Sequence, residues 1–159
     1  MKIIEMNGDL FDMSNYGDDS DNVVLAHCIA SDFGMGGGIA LQFIQHYDMK
    51  NRLIRRYPVD TQEGLCRTSR PSLVGTAVKV GNVYNLITKK FTFEKPQYYD
   101  FINSIVDMRN QMISFGDTAL AIPYLIGCGI DMLDETTVMG IIEDTFSITD
   151  ITIYVVRRI

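Results

Sequence analysis

The strongest constraint on the fold is an apolar strand, a glycine loop and a helix in immediate succession. Val23 to Ala26 is continuously apolar, as in a strand covered on both faces. Gly34-Met35-Gly36-Gly37-Gly38 comes next, and then Ile39, Ala40, Phe43 and Tyr47 fall at helical spacing. A unit of this kind lays a helix on one face of a sheet, and the fold around it must supply more strands on either side.

The rest of the chain repeats the alternation. Lys2 to Met6 reads as a short strand ended by the turn residues Asn7-Gly8-Asp9, and Ser14 to Asn22 as a polar loop. Leu53 to Tyr57 continues as a short helix halted by Pro58, and residues 61–72 read as a surface connection. Val74 to Val80 and Val83 to Thr88 flank Gly81-Asn82, a two-residue hairpin signal. Tyr98, Ile102, Ile105, Met108 and Met112 mark a helix with one buried stripe. Ala119 to Ile122 is a strand, Val138 to Phe146 a helix and Ile151 to Val156 a last strand. Strands alternating with helices predict an α/β sandwich of layers, and the hairpin makes its sheet mixed. No repeat or linker divides the chain, so residues 1–159 are expected to form a single domain.

Charge limits what the glycine loop can hold. Fourteen Lys and Arg against twenty Asp and Glu leave a net charge of -6, which argues against a broad basic surface for nucleic acid. A phosphate would have to be gripped locally, by backbone amides or by one or two cations. Amides at the start of a helix do this without basic side chains, and glycines let them approach a ligand closely. A turn with no ligand is the alternative for an isolated glycine run. The dinucleotide fingerprint fails at Ile39, and no G-x-x-x-x-G-K-[ST] is present. A C-x5-R phosphatase loop fails too, because Ser72 and Asp134 stand where Cys66 and Cys128 would need an arginine.

A second glycine loop, Gly127-Cys128-Gly129, follows the strand Ala119 to Ile122. Two such loops at strand ends could clasp a diphosphate from both sides. Cys128 is either a thiol activated by backbone dipoles or a small residue packed under the loop. The three cysteines, Cys28, Cys66 and Cys128, form no C-x-x-C and suggest free thiols in a reducing compartment. His27 and His46 show no metal-ligand spacing, so no metal and no cofactor are expected. Glu5 and Asp9 interrupt any signal core, and no apolar run approaches a membrane span, so a soluble cytoplasmic protein is expected.

Five blocks together resemble one family. They are Gly8-Asp9-Leu10-Phe11, Leu25-Ala26-His27-Cys28-Ile29, Gly34 to Ala40, Leu86-Ile87-Thr88-Lys89-Lys90 and Ile126-Gly127-Cys128-Gly129-Ile130-Asp131. In this order and spacing they resemble a macro domain, in the branch that holds terminal ADP-ribose protein glycohydrolases and yeast-type ADP-ribose 1''-phosphate phosphatases. The resemblance implies a three-layer α/β/α fold with ADP-ribose in a cleft over the strand ends. It implies that Asp9 accepts a hydrogen bond from the adenine amine, with Leu10 beside the ring. Met35, Gly36, Gly37, Gly38 and Ile39 would surround the distal ribose and diphosphate. Gly127, Cys128, Gly129 and Ile130 would hold the diphosphate from the other side. His27, Ile29, Ala30, Thr88, Pro123 and Ile126 complete the implied ligand contacts.

By the same resemblance Lys89 would attack the anomeric carbon, and Asp131 would assist proton transfer and release the lysine adduct. An amine of lowered pKa can form an imine at such a carbon, and the acid must lie within reach of it. Where many macro domain hydrolases carry Asn-Ala-Ala-Asn, this chain has His27-Cys28-Ile29-Ala30. The implied function is removal of ADP-ribose from acidic side chains, or dephosphorylation of ADP-ribose 1''-phosphate. The alternative is a module that binds ADP-ribose without turnover. The expected partners are ADP-ribosyl substrates, including mono-ADP-ribosylated proteins, met by a monomer that binds neither long nucleic acid nor membrane.

Overall fold

A computed structural model describes residues 1–58, 68–127 and 132–158. Among these residues, six strands form one mixed sheet: β1 (Lys2–Asn7), β2 (Val24–Ala30), β3 (Thr76–Val80), β4 (Val83–Lys89), β5 (Ala119–Pro123) and β6 (Thr152–Arg157). Their order is β1-β6-β5-β2-β4-β3. All neighbouring pairs are parallel except β3 with β4. That antiparallel pair is the expected hairpin. Gly81 supplies, at φ +59, the positive φ that a tight two-residue turn needs at its first position.

Among the described residues, four helices cover the sheet: α1 (Ile39–Tyr47), α2 (Met49–Arg56), α3 (Tyr98–Phe115) and α4 (Glu135–Phe146). Alternation along each strand sorts the core into two halves. Leu25, Ile29, Val83 and Ile87 meet Phe43 and Leu53 of α1 and α2 on one face. Val24, Ala26, Tyr84 and Leu86 meet Ile105, Met108 and Ile142 of α3 and α4 on the other. The expected three layers are present.

Two segments differ from the expectation. The polar stretch after β1 is not an open loop but 3-10 helical turns, Met13–Asp19, broken at Gly17. Its one large side chain, Tyr16, is buried against Tyr154 with ring centroids 5.0 Å apart, and its hydroxyl donates to the Leu10 carbonyl. That anchor draws the polar residues into turns. Strand β2 also runs past Ala26 to Ala30, because His27 is accommodated inside the sheet. The connection expected over 61–72 lies mostly outside the described residues, although its Pro71 opens a short 3-10 turn.

Candidate active site

The two central parallel strands pair over a short stretch only. β2 and β5 are in register only at Val24↔Leu120 and Leu25↔Ala121, and beyond this they separate. They also leave the sheet in opposite senses. The chain leaves β2 through α1 and α2 toward β3, and leaves β5 through α4 toward β6. Divergence at strand ends opens a crevice where open α/β sheets bind ligands. Here it is a cavity of about 360 Å³.

Each wall comes from one strand end and the loop that follows it. β2 contributes Cys28, Ile29 and Ala30, and the loop after it contributes Met35, Gly36, Gly37, Gly38 and Ile39. β4 contributes Lys89, with Thr92 just beyond it. β5 contributes Pro123, and its following turn adds Tyr124, Leu125, Ile126 and Gly127. Most of this wall is apolar or bare backbone, so the few polar groups set the orientation of a ligand.

Backbone strain gathers at the same place. Among the described residues, the non-glycine positions with positive φ are Phe33, Met35, Asp48, Leu125 and Met132. Asp48 caps α1, whereas Phe33, Met35 and Leu125 lie on the two loops that flank the crevice. Left-handed torsions at buried residues such as Phe33 and Met35 persist only where the surrounding packing enforces them. Gly38 adopts φ +62, ψ -147, a region essentially closed to side chains, and begins α1 with no side-chain cap. Amides at a helix start that lacks a side-chain cap are suited to an anion.

Lys89 is placed by an irregularity in the sheet. Ile29 pairs with Ile87 but Ala30 pairs with Lys89, so Thr88 is an extra residue in β4. Such a bulge re-aims the next side chain. Lys89, only 8% exposed, then forms part of the cavity wall. The chain after β2 clasps this region: the Ser31 amide donates to the Lys89 carbonyl at 2.9 Å, and the Ser31 hydroxyl to the Lys90 carbonyl at 2.9 Å. Arg70 stacks its guanidinium 4.1 Å from the Phe33 ring centroid and donates to the Ser31 carbonyl at 3.1 Å.

The structure gathers Ile29, Ala30, Met35, Gly36, Gly37, Gly38, Ile39, Lys89, Pro123, Ile126 and Gly127 of the expected residues in one wall. Cys128, Gly129, Ile130 and Asp131 lie outside the described residues. Four others stand apart from this wall. Asp9 follows the edge strand β1, where its Oδ1 accepts from the Phe11 amide at 3.0 Å, and Leu10 is buried under that turn. Thr88 is fully buried at the bulge, and its hydroxyl has no hydrogen-bond partner among the described residues.

His27 turns away from the crevice and under α1, its ring stacked 3.8 Å from that of Phe43. Asn85 donates its amide to the Val78 carbonyl at 3.1 Å, which turns Oδ1 toward His27 Nε2 at 2.6 Å. Nε2 therefore carries the hydrogen and Nδ1 is left as a bare lone pair without a partner among the described residues. Burial pushes the imidazole down to about 4, against a smaller opposing effect of the Asn85 bond.

Sequence reasoning omitted Cys28, Ala40, Thr92, Tyr124 and Leu125 from the ligand contacts. The last three are ordinary loop residues that a motif search passes over, yet all five lie within three positions of a residue it did select.

No family model matches the chain. It is 34% identical over 155 residues to the ADP-ribose glycohydrolase OARD1 of Bos taurus, covering 97% of this chain and 90% of that protein. The Homo sapiens protein of the same name is 36% identical over 132 residues, covering 82% and 79% respectively. The fold is similar to the macrodomain of Mycobacterium tuberculosis DarG, with a TM-score of 0.74 at 20% identity over 97% of this chain and 96% of that one. A glycine loop at a split between parallel strands, a lysine in the cavity wall and relatedness over nearly the whole length agree: this chain belongs to the macro domain family, in the branch of the OARD1 ADP-ribose glycohydrolases.

Proposed function

We propose that the protein is a hydrolase that releases ADP-ribose from carboxylate side chains of modified proteins. The carrying observation is Lys89, a buried amine-bearing side chain in the cavity wall, on the strand end beside the Gly36 to Gly38 loop. In the proposed reaction the distal ribose sits in that loop and turns its anomeric carbon toward Lys89. The lysine nitrogen bonds to this carbon while the carboxylate departs with the electrons of its ester bond. Loss of the amine proton and opening of the sugar ring give an imine. Water then hydrolyses the imine, restoring Lys89 and freeing ADP-ribose. Asp131 is assigned the proton transfers.

ADP-ribose 1''-phosphate also carries an anionic leaving group on that carbon, and the proposal extends to it as a second substrate. Three cysteines with no C-x-x-C among them support the further proposal that the protein works in the reducing cytoplasm. The test incubates the protein with an auto-ADP-ribosylated acceptor and with ADP-ribose 1''-phosphate, beside Lys89→Ala. Release by the wild type should fall about a hundredfold or more in the variant, the scale on which a positioned catalytic group acts. Tight binding of ADP-ribose with no release from either substrate would replace the hydrolase with a binding module.

A further inference from the structure

Thr92 and Asp32 form a small arrangement on the Lys89 side of the cavity. Asp32 Oδ1 accepts from the Gly34 amide at 2.9 Å and from the Thr92 hydroxyl at 2.7 Å, while Oδ2 accepts from the Thr92 amide at 2.8 Å. An ionised carboxylate can only accept, so the Thr92 hydroxyl hydrogen is committed to Asp32 and only oxygen lone pairs remain. The fit is close. A Cβ at Gly34 would stand 2.3 Å from Thr92 Oγ1, so the missing side chain at 34 is what admits the hydroxyl. Lys50 holds the same residue from its other side by donating to the Gly34 carbonyl at 3.2 Å.

We propose that Thr92, oriented by Asp32, is a specificity-determining residue whose Oγ1 accepts a hydrogen bond from a hydroxyl of the ribose lying against Lys89. The inference rests on the ADP-ribose reading and adds a named partner for the distal sugar. Its basis is the polarity of the wall. Thr92 is one of the few polar side chains on a wall that is otherwise mostly apolar or bare backbone. Thr92 brings to the same wall an oxygen that can no longer donate. A sugar hydroxyl complements it. A phosphate oxygen there would meet a lone pair with the Asp32 carboxylate behind it, and would be repelled.

Calorimetric titration of wild type, Thr92→Val and Thr92→Ser with ADP-ribose and with ADP tests this. ADP shares every group of the ligand except the distal ribose. Thr92→Val should bind ADP-ribose about tenfold more weakly, the scale of one lost hydrogen bond, and ADP as the wild type does. Thr92→Ser, which keeps the oxygen, should restore the affinity for ADP-ribose. Equal binding of ADP-ribose by wild type and Thr92→Val overturns the assignment, as does an equal loss for both ligands. A wild type that binds neither ligand overturns the ADP-ribose reading itself, and the assignment with it.

Discussion

His27 shows how one residue can serve the packing of the fold while standing apart from the cavity wall. Its ring fills the space between β2 and Phe43, and its single hydrogen bond goes to Asn85. A proton arriving on Nδ1 would be a buried charge with no acceptor nearby, which is why burial depresses the group to about 4. The unfolded chain takes up that proton near 6.5, so between pH 6.5 and 4 it binds a proton that the folded protein refuses. Stability contributed by the neutral ring is therefore complete above that window and is lost as pH falls through it, by about 3 kcal/mol in all. Urea midpoints measured from pH 7 to pH 4 should drop accordingly. His27→Gln, which keeps a donor for Asn85 but cannot titrate, should flatten that slope.

At the level of elements, the glycines of the loop before α1 divide the labour between fold and ligand. Gly38 has a positive φ at the helix start, so Gly38→Ala should cost about 1–3 kcal/mol of stability, read from thermal or urea denaturation. Gly36 has no positive φ, and a Cβ there would meet nothing within 4 Å. The fold does not require that glycine, but it stands on the cavity wall. Gly36→Ala should keep stability within about 0.5 kcal/mol of wild type, as an open-site substitution does, while weakening ADP-ribose binding in a titration. The contrast separates the two roles of one short run.

The same loop was legible in the sequence because its logic is local: an apolar run, then glycines, then apolar residues at helical spacing. The Gly81-Asn82 hairpin and the α3 stripe were legible for the same reason. Strand β2 was read short because His27 looks like a boundary until Asn85, 58 positions away, is brought beside it. The bulge at Thr88 leaves no mark in Leu86-Ile87-Thr88-Lys89, since it consists of a register shift against β2. Thr92 was missed because its partner Asp32 lies 60 residues earlier, and only the fold joins them.

For the molecule as a whole, a net charge of -6 and a crevice lined by backbone and apolar groups predict an unusual salt response for a phosphate ligand. A diphosphate clamped by several lysines and arginines would lose affinity steeply with salt. In the proposed complex neutral amides carry most of the contact. ADP-ribose affinity measured at 50 and at 200 mM salt should therefore change by no more than about threefold, the modest screening left to one or two nearby charges.

The strand order has one more consequence, for the time at which the sheet is completed. Among the described residues β1 pairs with β6 alone, Lys2 against Thr152 through Asn7 against Arg157. During synthesis the first strand made must wait for the last, and the contact is among the most distant in sequence that the chain forms. Until then Asp9, Leu10 and the turns that hold Tyr16 hang from an unpaired strand. The central crevice, built by β2, β4 and β5, can assemble earlier on the ribosome than the edge that closes the sheet.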